Sequence, residues 1–339
     1  MIEYLDKVGV TGDAEQWLVR RDGRLATAYV YFDEDRPFHD QVASHSAHWI
    51  GFEHPHVSPL LEITHAERLI IITGDERGPN LLQMAHKLED LRERETWALS
   101  ELAGLAEGIA MMQWREKGLI HRRADPFHMI VGGDGHARLR APISEVTHGP
   151  ARGYLGRGKI SVGLGWMSPE QVSGVSLTPA SDVFQLASVA YAALALKRPF
   201  TGQNDFEQLV AIRDAVPPPL PPTTNGSIAE LILANLARDR SERLQSAGEF
   251  AAALRALVRE APPNLLAKAA ALRGDHKPAP NRSAGIVGYR CPKQWSELTP
   301  TAADGVRHCA SCDHEVVQVR SIDAVIPLLG KRCISYEPE

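Results

Sequence analysis

Residues 120–131 of this 339-residue chain read IHRRADPFHMIV, and this stretch decides the predicted fold. A polar run that contains a proline leads directly into three apolar residues, 129–131, which are followed by the turn sequence Gly-Gly-Asp-Gly at 132–135. A short apolar run, a glycine-rich turn and a second apolar run at 137–139 are typical of a β-hairpin. Residues 93–117 have apolar side chains at helical spacing, so a long helix is predicted just before this loop.

The residues before that helix have the pattern of a small sheet with one helix. Apolar runs at residues 16–20 and 25–32 flank the turn Arg21-Asp22-Gly23-Arg24, which predicts a hairpin. One helix and two further strands are predicted after it, over residues 39–52, 57–63 and 68–73. The later part of the chain is predicted to be mainly helical, over residues 180–196, 205–213, 228–236, 247–260 and 264–272.

The composition limits the classes of function. The net charge is −5 and the Lys and Arg residues are spread along the chain, so nucleic acid is not expected as a partner. No run reaches about 18 apolar residues, so no membrane span is expected. The N-terminal region has early acidic residues and no apolar signal core, and we therefore expect a cytoplasmic protein.

Four stretches, in kinase order, resemble the bacterial eukaryotic-type (Hanks-type) Ser/Thr protein kinases. Residues 120–131 resemble the catalytic loop and the strand after it, and 166–171 (WMSPEQ) resemble the end of the activation segment. Residues 177–187 (LTPASDVFQLA) resemble the start of the large central helix, and 236–243 (LARDRSER) resemble a stretch near the end of the helical lobe. The resemblance implies an α+β, bilobal protein-kinase-like fold over about three quarters of the chain.

The predicted domains follow from this resemblance and from the composition of the C-terminal region. They are a kinase-like N-lobe at 1–75, a helical C-lobe at 76–262, a Pro/Gly/Ser-containing linker at 263–287 and a small cysteine-containing module, expected to be stabilised by a metal, at 288–339.

The resemblance also implies that the residues of phosphoryl transfer are replaced in this chain. The aspartate that accepts the hydroxyl proton matches Arg123, whose guanidinium stays protonated and cannot act as a base. The neighbouring phosphate-binding lysine matches Asp125, and the two magnesium ligands match His128 and Ala141. The strand lysine that pairs with the phosphates matches Tyr29.

Further departures lie in the predicted N-lobe. The helix glutamate that pairs with the strand lysine matches a position near His45. The three glycines of the phosphate-covering loop match approximately Gly9, Thr11 and Ala14, and the valine that covers the adenine matches Gln16.

The residues that hold a kinase fold together are retained. Glu170 and Arg243 match the buried ion pair that anchors the end of the activation segment, and removing one partner of such a pair is strongly destabilising. Asp182 matches the helix aspartate that accepts hydrogen bonds from the catalytic-loop backbone, and His121 and Arg122 match the core contacts of that loop. We expect these five residues to be structural.

All four cysteines of the chain lie after residue 290, at Cys291, Cys309, Cys312 and Cys333. A C-x-x-C pair with two further cysteines offers the four soft ligands that zinc prefers. A module of this size has too small a hydrophobic core to be stable by itself, so a structural metal is expected. We expect one structural zinc per chain, held by the four cysteines. His308 or His314 in place of one cysteine, a disulfide and a redox site are weaker alternatives.

Together these features predict a catalytically inactive pseudokinase, not an enzyme, with no Mg-ATP cofactor. We expect it to act as a scaffold or regulatory module that binds a protein partner, with the zinc module as a second interaction surface. Two alternatives stay open: an unconventional nucleotide-binding protein or enzyme on a kinase fold, and a self-assembling, homo-oligomeric structural subunit.

Overall fold

The structure is a computed structural model. It describes residues 2–10, 14–31, 36–47, 49–65, 68–117, 119–140, 164–274, 296, 298–302, 305–309, 314–319 and 333–336. The chain divides into two compact units. The first unit contains Met1–Thr147, Thr178–Pro199 and Pro217–Arg282, and the second contains His148–Leu177, Phe200–Val216 and Ser283–Glu339.

The first unit begins with a five-stranded antiparallel sheet. Its strands are β1 (Ile2–Val10), β2 (Ala14–Arg21), β3 (Arg24–Tyr31), β4 (Leu60–His65) and β5 (Leu69–Thr73), in the spatial order β1-β2-β3-β5-β4. The helix α1 (Arg36–Ala47) lies between β3 and β4 in sequence. Asp22 and Gly23 have φ values of 50° and 78°, as a tight primed turn requires, and they form the predicted hairpin between β2 and β3.

β1 is a strand that the sequence analysis missed. It is the edge strand of the sheet and pairs with β2 through an irregular register, with bulges after Tyr4 and Lys7. Its side chains from Glu3 to Lys7 are exposed, because this edge strand covers little of the core. Such a strand lacks the alternation of buried and exposed residues by which strands are recognised in a sequence.

The helices are, in chain order, α1, α2 (Leu81–Lys87), α3 (Leu91–Arg115), α4 (Pro169–Val172), α5 (Pro179–Ala195), α6 (Asp205–Asp214), α7 (Gly226–Ala234), α8 (Ala247–Leu257) and α9 (Pro263–Arg273). Among them α4 and α6 belong to the second unit. The predicted second hairpin is formed by β6 (Met129–Val131) and β7 (Ala137–Leu139).

The core of the helical part lies between α3, α5 and α8. α5 is buried along nearly its whole length, and Pro179 lies in its first turn, where a missing N–H leaves no helical hydrogen bond unmade. α3 begins at the N-cap Asp90, whose side chain accepts from Glu93 N. The described residues thus form a sheet-rich part followed by a helical part, which is compatible with the expected kinase-like fold.

The helix α9 lies in the segment predicted as a linker. Leu265 and Ala269 are buried, and Arg273 Nε donates to Val131 O at 3.1 Å. Lys87 Nζ in turn donates to Leu272 O at 2.7 Å. Residues 263–273 therefore pack within the first unit, while 275–287 lie outside the described residues.

The second unit contains α4, α6 and a four-stranded sheet. Ser168 and Gln171 form a reciprocal capping box at the start of α4. The strands β8 (Thr299–Pro300), β9 (Val306–Cys309), β10 (His314–Val319) and β11 (Cys333–Tyr336) lie in the order β11-β10-β9-β8. In the parts of the chain that the structure covers, no helix is long and apolar enough to cross a membrane.

Candidate functional site

Tyr29, the residue at the strand-lysine position, belongs to a buried polar cluster. Tyr29 OH donates to Glu76 Oε2 at 2.5 Å, and Arg140 Nε lies 4.0 Å from the same oxygen. Thr27 Oγ1 accepts a hydrogen bond from Glu76 N at 3.1 Å, which fixes the backbone of the glutamate. Burial raises the pKa of Tyr29 well above its ordinary value, so the phenol stays protonated and acts as the donor. We call this the Tyr29–Glu76–Arg140 cluster.

A second polar cluster lies in the loop that decided the predicted fold. Asp125 is fully buried, and its carboxylate accepts from Arg123 Nε at 2.9 Å and from Phe127 N at 2.9 Å. Its Oδ1 also lies 3.0 Å from His128 Nδ1. The Asp125 side chain caps a short 3-10 turn, Pro126–His128, and this cap places the imidazole beside the carboxylate. We call this the Arg123–Asp125–His128 cluster.

This arrangement has a defined chemical consequence. The Arg123 guanidinium compensates the charge of a carboxylate that would otherwise be costly to bury. A carboxylate at Nδ1 of an imidazole orients the ring and sets its tautomer, which is the relation between the aspartate and the histidine in hydrolase triads. His128 keeps 21% of its side chain exposed, so its ring reaches solvent at this loop.

Asp182 lies under the same loop and holds its backbone. Its carboxylate accepts from His121 N at 2.8 Å, from Arg122 N at 2.7 Å and from Gln113 Nε2 at 3.1 Å. Burial raises the pKa of Asp182 to about 7, although these three donors act in the opposite direction. Arg122 has a φ of 65°, a left-handed conformation that two bonded amides in succession hold in place.

The other two residues predicted as structural are buried in separate units. Arg243 lies in the first unit, where it donates to the carbonyl oxygens of Ala237 at 2.7 Å and Arg238 at 2.9 Å, and its guanidinium stacks over Phe184. Glu170 is buried in α4 of the second unit. The ion pair between Glu170 and Arg243 stays a prediction.

Several predicted site residues lie at the limits of the described structure. Gly9, matched to a glycine of the phosphate-covering loop, pairs across β1 and β2 with Gln16, matched to the valine that covers the adenine. His45 lies in α1, and Cys309 and Cys333 lie at the end of β9 and the start of β11. Four predicted residues lie outside the described part of the chain, namely Thr11, Ala141, Cys291 and Cys312.

Glu76 and Arg140 were not predicted as site residues from the sequence. Glu76 is 47 residues from Tyr29 in sequence and lies in the stretch Gly-Asp-Glu-Arg-Gly, whose charged residues suggest a solvated loop. The sequence signal for Arg140 was its position immediately after β7, whose Ala137 and Leu139 are buried.

No protein-family model matches the chain. The chain is similar to a protein named serine/threonine-protein kinases drp72 from Corynebacterium efficiens, with 31% identity over 53% of this chain and 34% of the relative. Two proteins named PknA, from Corynebacterium glutamicum and Mycobacterium tuberculosis, are 28% and 29% identical over 65% and 44% of this chain. The matches cover 48% and 35% of these two relatives, so the chain spans a third to a half of their length. These similarities support a relationship to Hanks-type serine/threonine-protein kinases.

The comparisons contradict the expectation that the chain is not an enzyme, because these relatives are named serine/threonine-protein kinases. The expectation depended on residue types at single matched positions. Those types do not settle the chemistry, since the loop that has Arg123 at the position of the base also holds a carboxylate and an imidazole in contact, Asp125 and His128.

Proposed function

We propose that this chain is a kinase-like regulatory protein that acts by binding a protein partner. The observation that supports this proposal is the hydrogen bonding within the Tyr29–Glu76–Arg140 and Arg123–Asp125–His128 clusters. Tyr29 donates to Glu76, and Arg123 donates to Asp125, so two of the side chains at positions matched to phosphate chemistry contact acids of the same unit. Asp182 meanwhile holds the loop that carries one of these clusters, which keeps the surface around it in a fixed shape.

An exposed apolar surface at the end of α3 is the part of the first unit that we assign to the partner. Trp114 is 81% exposed and Met111, three residues earlier on the same helix face, is 44% exposed. Single exposed apolar residues are ordinary on protein surfaces. A nearly fully exposed tryptophan beside a methionine is unusual, and tryptophan is enriched among residues that dominate binding energy.

The test is affinity capture with the full chain as bait, followed by titration of each retained protein in purified form. The wild type and the control variant Val216→Ala, which changes a side chain that is 79% exposed, are expected to bind one protein saturably. Trp114→Ala is expected to weaken that binding about 10-fold or more. Equal binding by Trp114→Ala would reject this surface, and the absence of any saturable protein partner would reject the proposed function.

A second candidate function is favoured by the names of the relatives and by the Asp125–His128 contact. It is a nucleotide-dependent enzyme in which His128, oriented by Asp125, accepts or donates the proton. Labelled ATP with Mg²⁺ tests it, with His128→Gln as the variant and exposed His86→Gln as the control. Transfer that His128→Gln loses and His86→Gln keeps would support this role, whereas transfer that both variants keep would exclude His128 from it.

For the C-terminal region we propose a structural zinc held by Cys291, Cys309, Cys312 and Cys333 and a role as a second contact surface. The support is the spacing of the cysteines together with the positions of two of them in one sheet, at the end of β9 and the start of β11, the two strands that flank β10. Light scattering of the full chain, with and without residues 288–339, tests the alternative that this region mediates self-association.

We also propose a cytoplasmic location for this chain, which cell fractionation would test.

A further inference from the structure

A third polar cluster, formed by His56, Glu101 and His136, has no part in the functions proposed above. His56 lies in the segment between α1 and β4, Glu101 lies in α3, and His136 lies in the turn between β6 and β7. All three belong to the first unit, and they come from segments that are far apart in the sequence. Two imidazoles and one carboxylate are a donor set that binds zinc in proteins.

Two distances in this cluster, each to a different oxygen of Glu101, are close to those between the ligands of a tetrahedral metal site. Glu101 Oε1 lies 3.2 Å from His136 Nδ1, and Glu101 Oε2 lies 3.5 Å from His56 Nδ1. One ligand atom from each residue lies within 4.8 Å of the other two. Zinc with nitrogen and oxygen ligands at 2.0–2.2 Å in a tetrahedron separates neighbouring ligand atoms by about 3.3–3.6 Å.

The charge on Glu101 also favours a cation. Its side chain is 2% exposed, and among the residues that the structure describes its ion-pair partners are the two histidines. Ala137 N donates to Oε2 at 2.7 Å, so one oxygen is already fixed by the backbone. A buried carboxylate needs a compensating positive charge, and a divalent ion between the imidazoles supplies it.

The surroundings hold the ligands in place. The His56 ring packs so closely on α3 at Gly104 that a Cβ added there would lie 2.2 Å from His56 Nε2. His56 N donates to His54 Nδ1 at 3.1 Å, which fixes the backbone of His56. His56 Nδ1 lies 2.9 Å from Ala137 O, a contact that metal binding would replace. The His136 side chain is 37% exposed, which leaves this side of the cluster open to an ion and to a water ligand.

We propose that His56, Glu101 and His136 bind a divalent transition metal of the zinc class, with water as the fourth ligand. Each ligating imidazole is neutral and gives the metal a nitrogen lone pair. At His56 the metal displaces the proton that Nδ1 donates to Ala137 O, the ring turns its Nδ1 from this carbonyl toward Glu101, and the remaining ring proton lies on Nε2. The bound ion joins α3 to the β6–β7 turn and to the segment before β4, which makes it a structural clamp within the first unit.

The test is equilibrium dialysis of the full chain against Zn²⁺, followed by metal analysis. Because the cysteines are also proposed to bind zinc, the measured quantity is the difference between variants. Glu101→Gln and His136→Gln are each expected to lose about one zinc per chain relative to the wild type. His86→Gln, which changes an exposed histidine of α2, is the control and is expected to lose none.

His136→Gln decides the result, because this residue is the most exposed of the three and its change leaves the buried positions intact. Circular dichroism establishes that the variant is folded. The loss of one zinc by folded His136→Gln, with none lost by His86→Gln, supports the site. An equal zinc content in wild type and folded His136→Gln would overturn the proposal and leave the three residues as a hydrogen-bonded cluster only.

Discussion

Asp182 is the single residue on which the loop of residues 120–131 depends most directly. Asp182→Ala removes the acceptor of the His121 and Arg122 amides, so one buried and one part-buried donor lose their hydrogen bonds. Leaving a buried donor unsatisfied costs about 1–3 kcal/mol, so we expect the free energy of unfolding to fall by about 2–4 kcal/mol. Urea unfolding, followed by tryptophan fluorescence, measures the change.

Asp214→Ala is the matched control for that measurement, because Asp214 is exposed and pairs with Arg213 on the surface. Its effect is expected to stay within about 0.5 kcal/mol. A loss for Asp182→Ala no larger than that of the control would show that the loop does not need this carboxylate.

Asp134 gives a residue-level prediction about pH. Burial alone would raise its pKa, but hydrogen bonds from Arg138 Nη1 and Nη2, at 2.9 and 2.5 Å, lower it to about 2. A carboxyl whose folded-state pKa is depressed adds stability above its unfolded pKa of 3.8 and loses this contribution as the pH falls toward 2. The contribution is small, since the side chain is 49% exposed and solvent screens the pair.

Asp134→Asn should therefore lower the midpoint of unfolding at pH 6 and have progressively less effect toward pH 2. Thermal unfolding of both proteins across this range measures the difference between the midpoints. A difference that stays constant with pH would mean that the effect of Asp134 comes from the shape of the turn and not from its charge.

At the scale of elements, the contact between α3 and the segment before β4 depends on the absence of a side chain at Gly104. Gly104→Ala places a methyl group where the buried His56 ring now lies, at 2.2 Å from Nε2. Overpacking of this kind costs about 1–3 kcal/mol, and the ring must leave Glu101 and Ala137. We expect a lower free energy of unfolding and, if the proposed metal site exists, about one zinc fewer per chain.

Gly248→Ala is the control for this change. Gly248 lies in α8, and a Cβ there would make an ordinary contact of 3.5 Å with the Ala110 Cβ. Alanine is a better helix former than glycine, so this variant is expected to be neutral or slightly more stable. Gly104→Ala behaving like Gly248→Ala in unfolding would contradict the packing described for His56.

The elements that could be predicted from the sequence are those whose signals are local. The β2–β3 hairpin and the helices α3 and α5 were predictable, because a glycine turn and helical spacing are local signals. β1 differs, because it is an exposed edge strand. The helix α9 was predicted over residues 264–272, but its packing within the first unit depends on distant contacts such as Arg273 to Val131, 142 residues apart.

The candidate sites show the same division between local and distant contacts. The Arg123–Asp125–His128 cluster lies within one loop, so its members stood out in the sequence, although their mutual contacts did not. Glu76 and Glu101 could not be predicted as site residues from the sequence, since each is a single acidic residue whose partners are supplied by other segments of the fold.

At the scale of the whole molecule, the two proposed metal sites lie in different units and use different ligands. The cysteines belong to the second unit, and His56, Glu101 and His136 belong to the first. If both sites exist, the full chain should bind about two zinc ions, one through thiolates and one through imidazoles and a carboxylate. Sites with no shared ligand should also be lost independently.

Cys312→Ser, His136→Gln and the double variant measure this independence by metal analysis and thermal unfolding. Each single variant is expected to retain about one zinc and the double variant none, with nearly additive losses in the unfolding midpoint. Cys312→Ser is expected to leave the zinc of the first unit in place, because none of its ligands is a cysteine. An unchanged zinc content in Cys312→Ser would reject the thiolate site alone, and an unchanged content in His136→Gln would reject the histidine site alone. Loss of both ions in one single variant would mean that the two units do not bind metal independently.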